Sequence, residues 1–205
     1  METSEKPFLK DYWEGLYREA DMAIGPPDPV LVEIAADLKP GRAVDLGAGD
    51  GANSLWLAEC GWQVDAVDFA TQALDRATYV ADRRGFSISA HVADLLTYQP
   101  DQPADLVLFS FIHLPPEQRR RMLAHASEML APGGTMIYIG ITEVDMSEHG
   151  IAPEVFASME AVVTDLPADL KPVRTEQKPR TVEYNGTEHP HIGVTVTARK
   201  GPAPS

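Results

Sequence analysis

Val44-Asp45-Leu46-Gly47-Ala48-Gly49-Asp50-Gly51 is the stretch on which the fold turns. A short apolar run ends in a glycine-rich loop, and a helical pattern over Ala52–Cys60 follows at once. Glycines suit such a loop because the chain turns tightly there and a ligand must reach bare backbone. Read as G-x-G-x-x-A with Ala52 in the last place, the loop also passes as a dinucleotide fingerprint. Asp45 sharpens the choice. A carboxylate two residues before the loop would repel a diphosphate, whereas it attracts an α-amino group.

Outward from this loop the chain alternates short apolar runs with longer helical patterns. The runs are Ala43–Leu46, Gln63–Val67, Ser87–His91, Ala104–Ser110 and Thr135–Ile141, and the helices are Ala52–Cys60, Thr71–Arg84 and Pro116–Leu130. Leu106-Val107-Leu108-Phe109 is apolar on both faces, as a strand covered from both sides must be. The alternation predicts an α/β, doubly wound, Rossmann-like sheet with helices on both faces. Upstream, an aromatic helix over about 8–20 precedes a Pro-rich joint, where Asp28 can cap a helix that has Pro29 at its first position. Leu31, Ile34, Ala35 and Leu38 give that helix one apolar face. Downstream, a helix from about Pro153 and two polar-alternating segments, Arg174–Tyr184 and Ile192–Ala198, flank Asn185-Gly186. That dipeptide signals a hairpin turn. We expect one domain over 1–200: an N-terminal helical cap (1–40), a core (41–141) and a C-terminal helix with a β-hairpin (142–200). A disordered tail over 201–205 should follow.

The 205 residues include 17 Lys and Arg against 31 Asp and Glu, a formal charge of −14. Such a chain is repelled by phosphate backbones, and its basic runs, Arg83-Arg84 and Arg119-Arg120-Arg121, fall in helical patterns. No nucleic-acid partner is expected. The single cysteine, Cys60, excludes an intrachain disulfide and a thiolate cluster, and no metal site is expected. Neither a signal-peptide core nor a membrane-length apolar run is present, so the expectation is a cytoplasmic protein without a membrane partner, monomeric or homodimeric.

Two further acids end strand patterns. Asp68 lies 19 residues beyond Gly49, where an acid can accept from ribose hydroxyls, and Asp94 could accept from a purine amine with Leu95 or Phe69 over the ring. Each could instead cap a turn. Taken in order, Val44–Gly51, Val67-Asp68-Phe69, Ala93-Asp94-Leu95 and Leu130-Ala131-Pro132-Gly133-Gly134 resemble class I S-adenosylmethionine-dependent methyltransferases. Pro29-Val30-Leu31-Val32, Gly61-Trp62-Gln63-Val64 and His113-Leu114-Pro115-Pro116-Glu117-Gln118 resemble, within that superfamily, small bacterial enzymes of the tellurite-resistance and thiopurine type.

The resemblance implies a seven-stranded sheet of order 3-2-1-4-5-7-6 with the last strand antiparallel. It also implies S-adenosyl-L-methionine as cofactor, S-adenosyl-L-homocysteine as its product and a small-molecule acceptor bearing an O, N or S nucleophile. Asp45 with the backbone of Gly47, Ala48 and Gly49 would hold the methionine part, Asp68 the ribose and Asp94 the adenine. Ser110, Phe111 and His113 would line the methyl-transfer side. The sequence departs from the subgroup at Ala23, where an aromatic is common, and at Ile141-Thr142, where a His-Asp pair is common.

His113 is the candidate general base, since imidazole titrates near working pH; the bland alternative is a ring that caps or packs the next helix. Tyr12, Trp13 and Tyr17 either pack the first helix on the sheet or form a lid whose aromatic faces meet a sulfonium. His189 and His191 lack a third ligand and read as a strand start. Two other functions stay open: a nicotinamide-dependent oxidoreductase, disfavoured by Asp45, and a module that binds the cofactor without transferring anything.

Overall fold

The computed structural model describes residues 24–142, 152–184 and 187–202. The aromatic first helix, Ala23 and the Asn185-Gly186 turn lie outside these residues, and so do His149 and Ala203–Ser205. Seven strands form one sheet of order β3-β2-β1-β4-β5-β7-β6. They are β1 (Arg42–Leu46), β2 (Gln63–Asp68), β3 (Ser89–Val92), β4 (Ala104–Ser110), β5 (Leu130–Thr142), β6 (Leu170–Tyr184) and β7 (Thr187–Lys200). All neighbours through β5 pair in parallel, and β7 is antiparallel to both β5 and β6. The expected order and the antiparallel last strand are both observed.

The helices are α1 (Pro29–Ala35), α2 (Ala52–Glu59), α3 (Thr71–Arg84), α4 (Pro116–Met129) and α5 (Met159–Asp165). One face of the sheet packs on α1, α2 and α3 through Leu31, Ile34, Leu55, Leu57, Leu74 and Ala77. The other packs on α4 and α5 through Met122, Leu123, Ala126, Met129 and Val162. Leu106, Val107, Leu108 and Phe109 of β4 are wholly buried because both layers cover them.

Local chemistry starts and stops these elements. Asp28 accepts from the Val30 N–H at 2.8 Å and caps α1, with Pro29 in the first turn. Gly85, at φ 81°, ends α3 in the left-handed conformation.

The structure corrects several boundaries. β3 starts at Ser89 and ends at Val92, not Ser87 and His91. The helix expected from Pro153 is split into a single 3-10 turn, Pro153–Val155, and α5, which starts afresh because the Ser158 hydroxyl accepts from the Ala161 N–H at 3.2 Å. β6 begins four residues earlier than expected and runs through Pro172 and Pro179. Prolines are admissible there because β6 is the edge of the sheet, where a missing N–H faces outward. Gly201, expected in a disordered tail, instead donates its N–H to the Asp169 carbonyl at 2.9 Å.

Candidate functional site

Strand connection reverses between β1 and β4, so the loops after these two strands flank a crevice at the carboxyl edge of the sheet. The loop after β1 is Gly47–Gly51. Gly47 has φ 77°, and a Cβ there would collide with the Ile112 side chain from the loop after β4. Only glycine lets the two walls approach this closely.

The loop spends its N–H groups inside the protein. Gly47 and Ala48 donate to the Val67 carbonyl at 2.8 and 3.0 Å, Gly51 donates to Ala48 at 2.9 Å, and Gly49 donates to Asp68 Oδ2 at 2.8 Å. A phosphate cradle needs such donors aimed outward. Four of this loop's are already committed, which counts against the dinucleotide reading and equally against the expectation that the N–H groups of Gly47, Ala48 and Gly49 hold the methionine part.

Asp45 points toward α2, where Ser54 Oγ donates to its Oδ2 at 2.7 Å. The carboxylate is buried and Oδ1 has no hydrogen-bond partner. Burial lifts its pKa to about 7, helped by the nearby Asp68 charge and opposed by the Ser54 hydrogen bond. An orphaned buried carboxylate oxygen is costly alone and becomes favourable when a cation or donor reaches it. An ammonium group fits that demand.

Asp68 accepts from Gly49 N–H through Oδ2 and from Ala70 N–H at 2.9 Å through Oδ1, fastening the glycine loop to the turn before α3. Burial raises its pKa, and the backbone donors at Ala70, Gly49 and Phe69 oppose the shift. A carboxylate offers about four acceptor positions, so further hydroxyls can still be taken.

The Asp94 carboxylate is exposed and accepts from Leu96 N–H at 2.8 Å, while its carbonyl takes the N–H groups of Thr97 and Tyr98. Asp94 therefore serves first as a turn cap, the bland alternative. Ala93 donates to the Asp68 carbonyl, which keeps that turn at the neighbouring sheet tip. Phe69 and Leu95 are half-buried, and Leu95 packs on the core beneath the turn. The structure thus brings Asp45, Asp68 and the loop together, with Asp94 beside them.

Across the crevice stand Ser110, Phe111 and His113. Phe111 adopts φ 60° and donates its N–H to the Ile139 carbonyl at 2.8 Å. The His113 ring lies 4.8 Å from that of Phe156 and 6.4 Å from that of Phe111. Its Nδ1 is buried without a partner, and burial, then the His191 charge, push the imidazole down to about 4. His113 is therefore neutral at pH 7 and a weaker base than an ordinary histidine. Tyr12, Trp13 and Tyr17 lie outside the described residues, as does any account of the His189 side chain. Among the described residues no cluster of three metal-binding side chains occurs.

Several neighbours escaped the sequence reading. Ser54 and Asn53 sit in the first turn of α2, and nothing in the sequence pattern singled either out. Thr142 Oγ1 donates to the Phe156 carbonyl at 3.2 Å, so the departure at Ile141-Thr142 anchors an aromatic wall. Phe156 and Arg180 carried no sequence signal, since both reach the crevice from distant segments.

Residues 43–134 match the methyltransferase-domain family. The ribosomal RNA small subunit methyltransferase C of Alcanivorax borkumensis is 34 % identical over 112 residues, covering 52 % of this chain and 34 % of that protein. A dimethylglycine N-methyltransferase of Parasynechococcus marenigrum is 31 % identical over 153 residues, covering 69 % and 54 %. These matches span only about a third to a half of the relatives' own lengths. Among solved structures, TehB of Haemophilus influenzae superposes with a TM-score of 0.70 at 20 % identity, covering 93 % of this chain and 66 % of that one.

Proposed function

We propose that the chain is a class I S-adenosylmethionine-dependent methyltransferase, a reading supported by the methyltransferase-domain match over residues 43–134, and that it transfers a methyl group to a small-molecule acceptor. One observation carries the reading. Asp45 presents a buried carboxylate oxygen without a partner behind a glycine loop whose N–H groups are largely committed. That pair of features suits an adenosyl ligand with a cationic tail and disfavours a diphosphate.

When bound, S-adenosylmethionine supplies a methyl carbon on a sulfonium, open to in-line displacement by the acceptor nucleophile. The residues of this chain bind, align and exclude water. Asp45 takes the α-ammonium, Asp68 orients the ribose from its fixed place under the loop, and Asp94 with Leu95 and Phe69 borders the purine. Alignment of this kind can lower a barrier by roughly 7–11 kcal/mol. His113 offers its neutral Nδ1 as an acceptor for the nucleophile's proton. With its conjugate acid near 4, it suits a nucleophile that gives up that proton readily.

A small acceptor is supported by the charge of −14 and by the contiguous aromatic wall of Phe111, His113 and Phe156. The similarity to an RNA methyltransferase covers about half of this chain and a third of that protein, so its acceptor does not carry over.

A thermal-shift measurement tests the reading. S-adenosylhomocysteine at about 100 times its dissociation constant should add about 2.7 kcal/mol, roughly 5–11 °C in melting temperature for this size. NAD should add nothing. A shift with NAD and none with the adenosyl compounds would sink the assignment.

A further inference from the structure

This inference rests on the adenosyl-binding reading above. Asp28 is the meeting point of three elements, α1, α2 and β6. Its N–H donates to Asn53 Oδ1 at 2.8 Å, behind the glycine loop. Its carboxylate caps α1 and also receives Arg180 Nη2 of β6 at 2.6 Å, with Arg180 Nη1 at 3.5 Å from the other oxygen. The carboxylate side chain is 4 % exposed. The same guanidinium lies over the Phe111 ring, its Cζ 4.9 Å from the centroid. Phe111 is the one non-glycine residue with positive φ among those described. A phenylalanine stays in the left-handed region only when its surroundings hold it there, and such positions gather at functional sites.

The other cations on this stretch of β6 are paired. Arg174 pairs with Glu33 and Glu176, and Lys178 pairs with Glu176. Arg180 and Asp28, 152 residues apart in the chain, therefore form a self-balanced pair against one wall of the crevice. We infer that Arg180 is a positioning residue for Phe111, and that the Asp28–Arg180 balance sets how the crevice discriminates a cationic sulfonium ligand from its neutral thioether counterpart. The methyl donor and its product differ at sulfur by one positive charge. A balanced pair adds little field there, and removing either partner leaves a unit charge beside a partly buried site.

Calorimetric titration of the intact protein with S-adenosylmethionine and with S-adenosylhomocysteine tests this. Asp28→Asn keeps the helix cap and the shape but leaves the guanidinium unbalanced. It should weaken the methyl donor relative to the product by about fivefold. Arg180→Gln leaves the carboxylate unbalanced and should move the ratio the other way. Arg180→Lys keeps the charge while losing the planar stack, so both ligands should weaken alike and the ratio should stay near the wild-type value. A ratio within twofold of wild type in Asp28→Asn overturns the inference, even if Arg180→Gln does not fold. Failure of both compounds to bind the wild-type protein overturns the parent reading along with it.

Discussion

Asp45 makes the sharpest chemical demand on its surroundings. A carboxylate wholly inside the sheet, with one oxygen on Ser54 and the other on nothing, holds its proton up to about pH 7. The sign of its linkage follows. The unfolded chain releases this proton near 3.8 and the unliganded native state only near 7, so the native state binds more protons in between. Its contribution therefore lowers stability as pH rises from about 4 to about 7. A cationic ligand needs the ionised form, so S-adenosylhomocysteine should bind more weakly as pH falls below 7, by up to roughly tenfold per unit. Titrations between pH 5 and pH 8 check this, and a flat profile would speak against an ion pair at Asp45. Ser54→Ala should push the midpoint of that profile upward, because it removes the hydrogen bond that favours the charged form.

At the scale of elements, the glycine loop and the strand–helix alternation were legible, the strand order came from the family resemblance, and the C-terminal third was read only in outline. Short apolar runs alternating with helical patterns mark a parallel sheet. The loop's hydrogen bonding was not legible, because Gly49 is tied to an aspartate 19 residues away. β6 was clipped because proline reads as a breaker until the strand is known to lie on an edge. The stop at Val155 and the restart at Ser158 were missed because a continuous helical pattern masked a local cap. Two substitutions separate these points. Gly47→Ala forces a side chain into Ile112 at φ 77° and should destabilise the protein by more than about 1 kcal/mol, since alanine cannot take that conformation without strain. Ser158→Ala should cost about 1 kcal/mol and leave ligand binding intact. Denaturant unfolding of both, with a binding measurement on each, distinguishes a loop that holds the ligand from a cap that holds only a helix.

At the scale of the whole molecule, charge and topology point the same way. The order of strand connection reverses where the two functional loops meet, and the helices on both faces leave that edge open. A formal charge of −14 makes phosphate-backbone binding unfavourable, and the basic side chains Arg119, Arg174 and Arg180 are engaged in ion pairs. Fluorescence anisotropy with labelled tRNA at physiological salt should show no binding, despite the similarity to an RNA methyltransferase over part of the chain. Tight, salt-sensitive binding would return the acceptor to the macromolecular class.

The measurement that reaches the centre of the account is a calorimetric comparison of S-adenosylhomocysteine with adenosine, on the wild-type protein and on Asp45→Asn. The account predicts that the wild type prefers S-adenosylhomocysteine by an order of magnitude or more, the strength expected of a buried charge-assisted contact. The substitution should erase most of that preference while leaving adenosine affinity unchanged. Equal preference in both proteins would mean that the buried carboxylate does not grip the cationic tail.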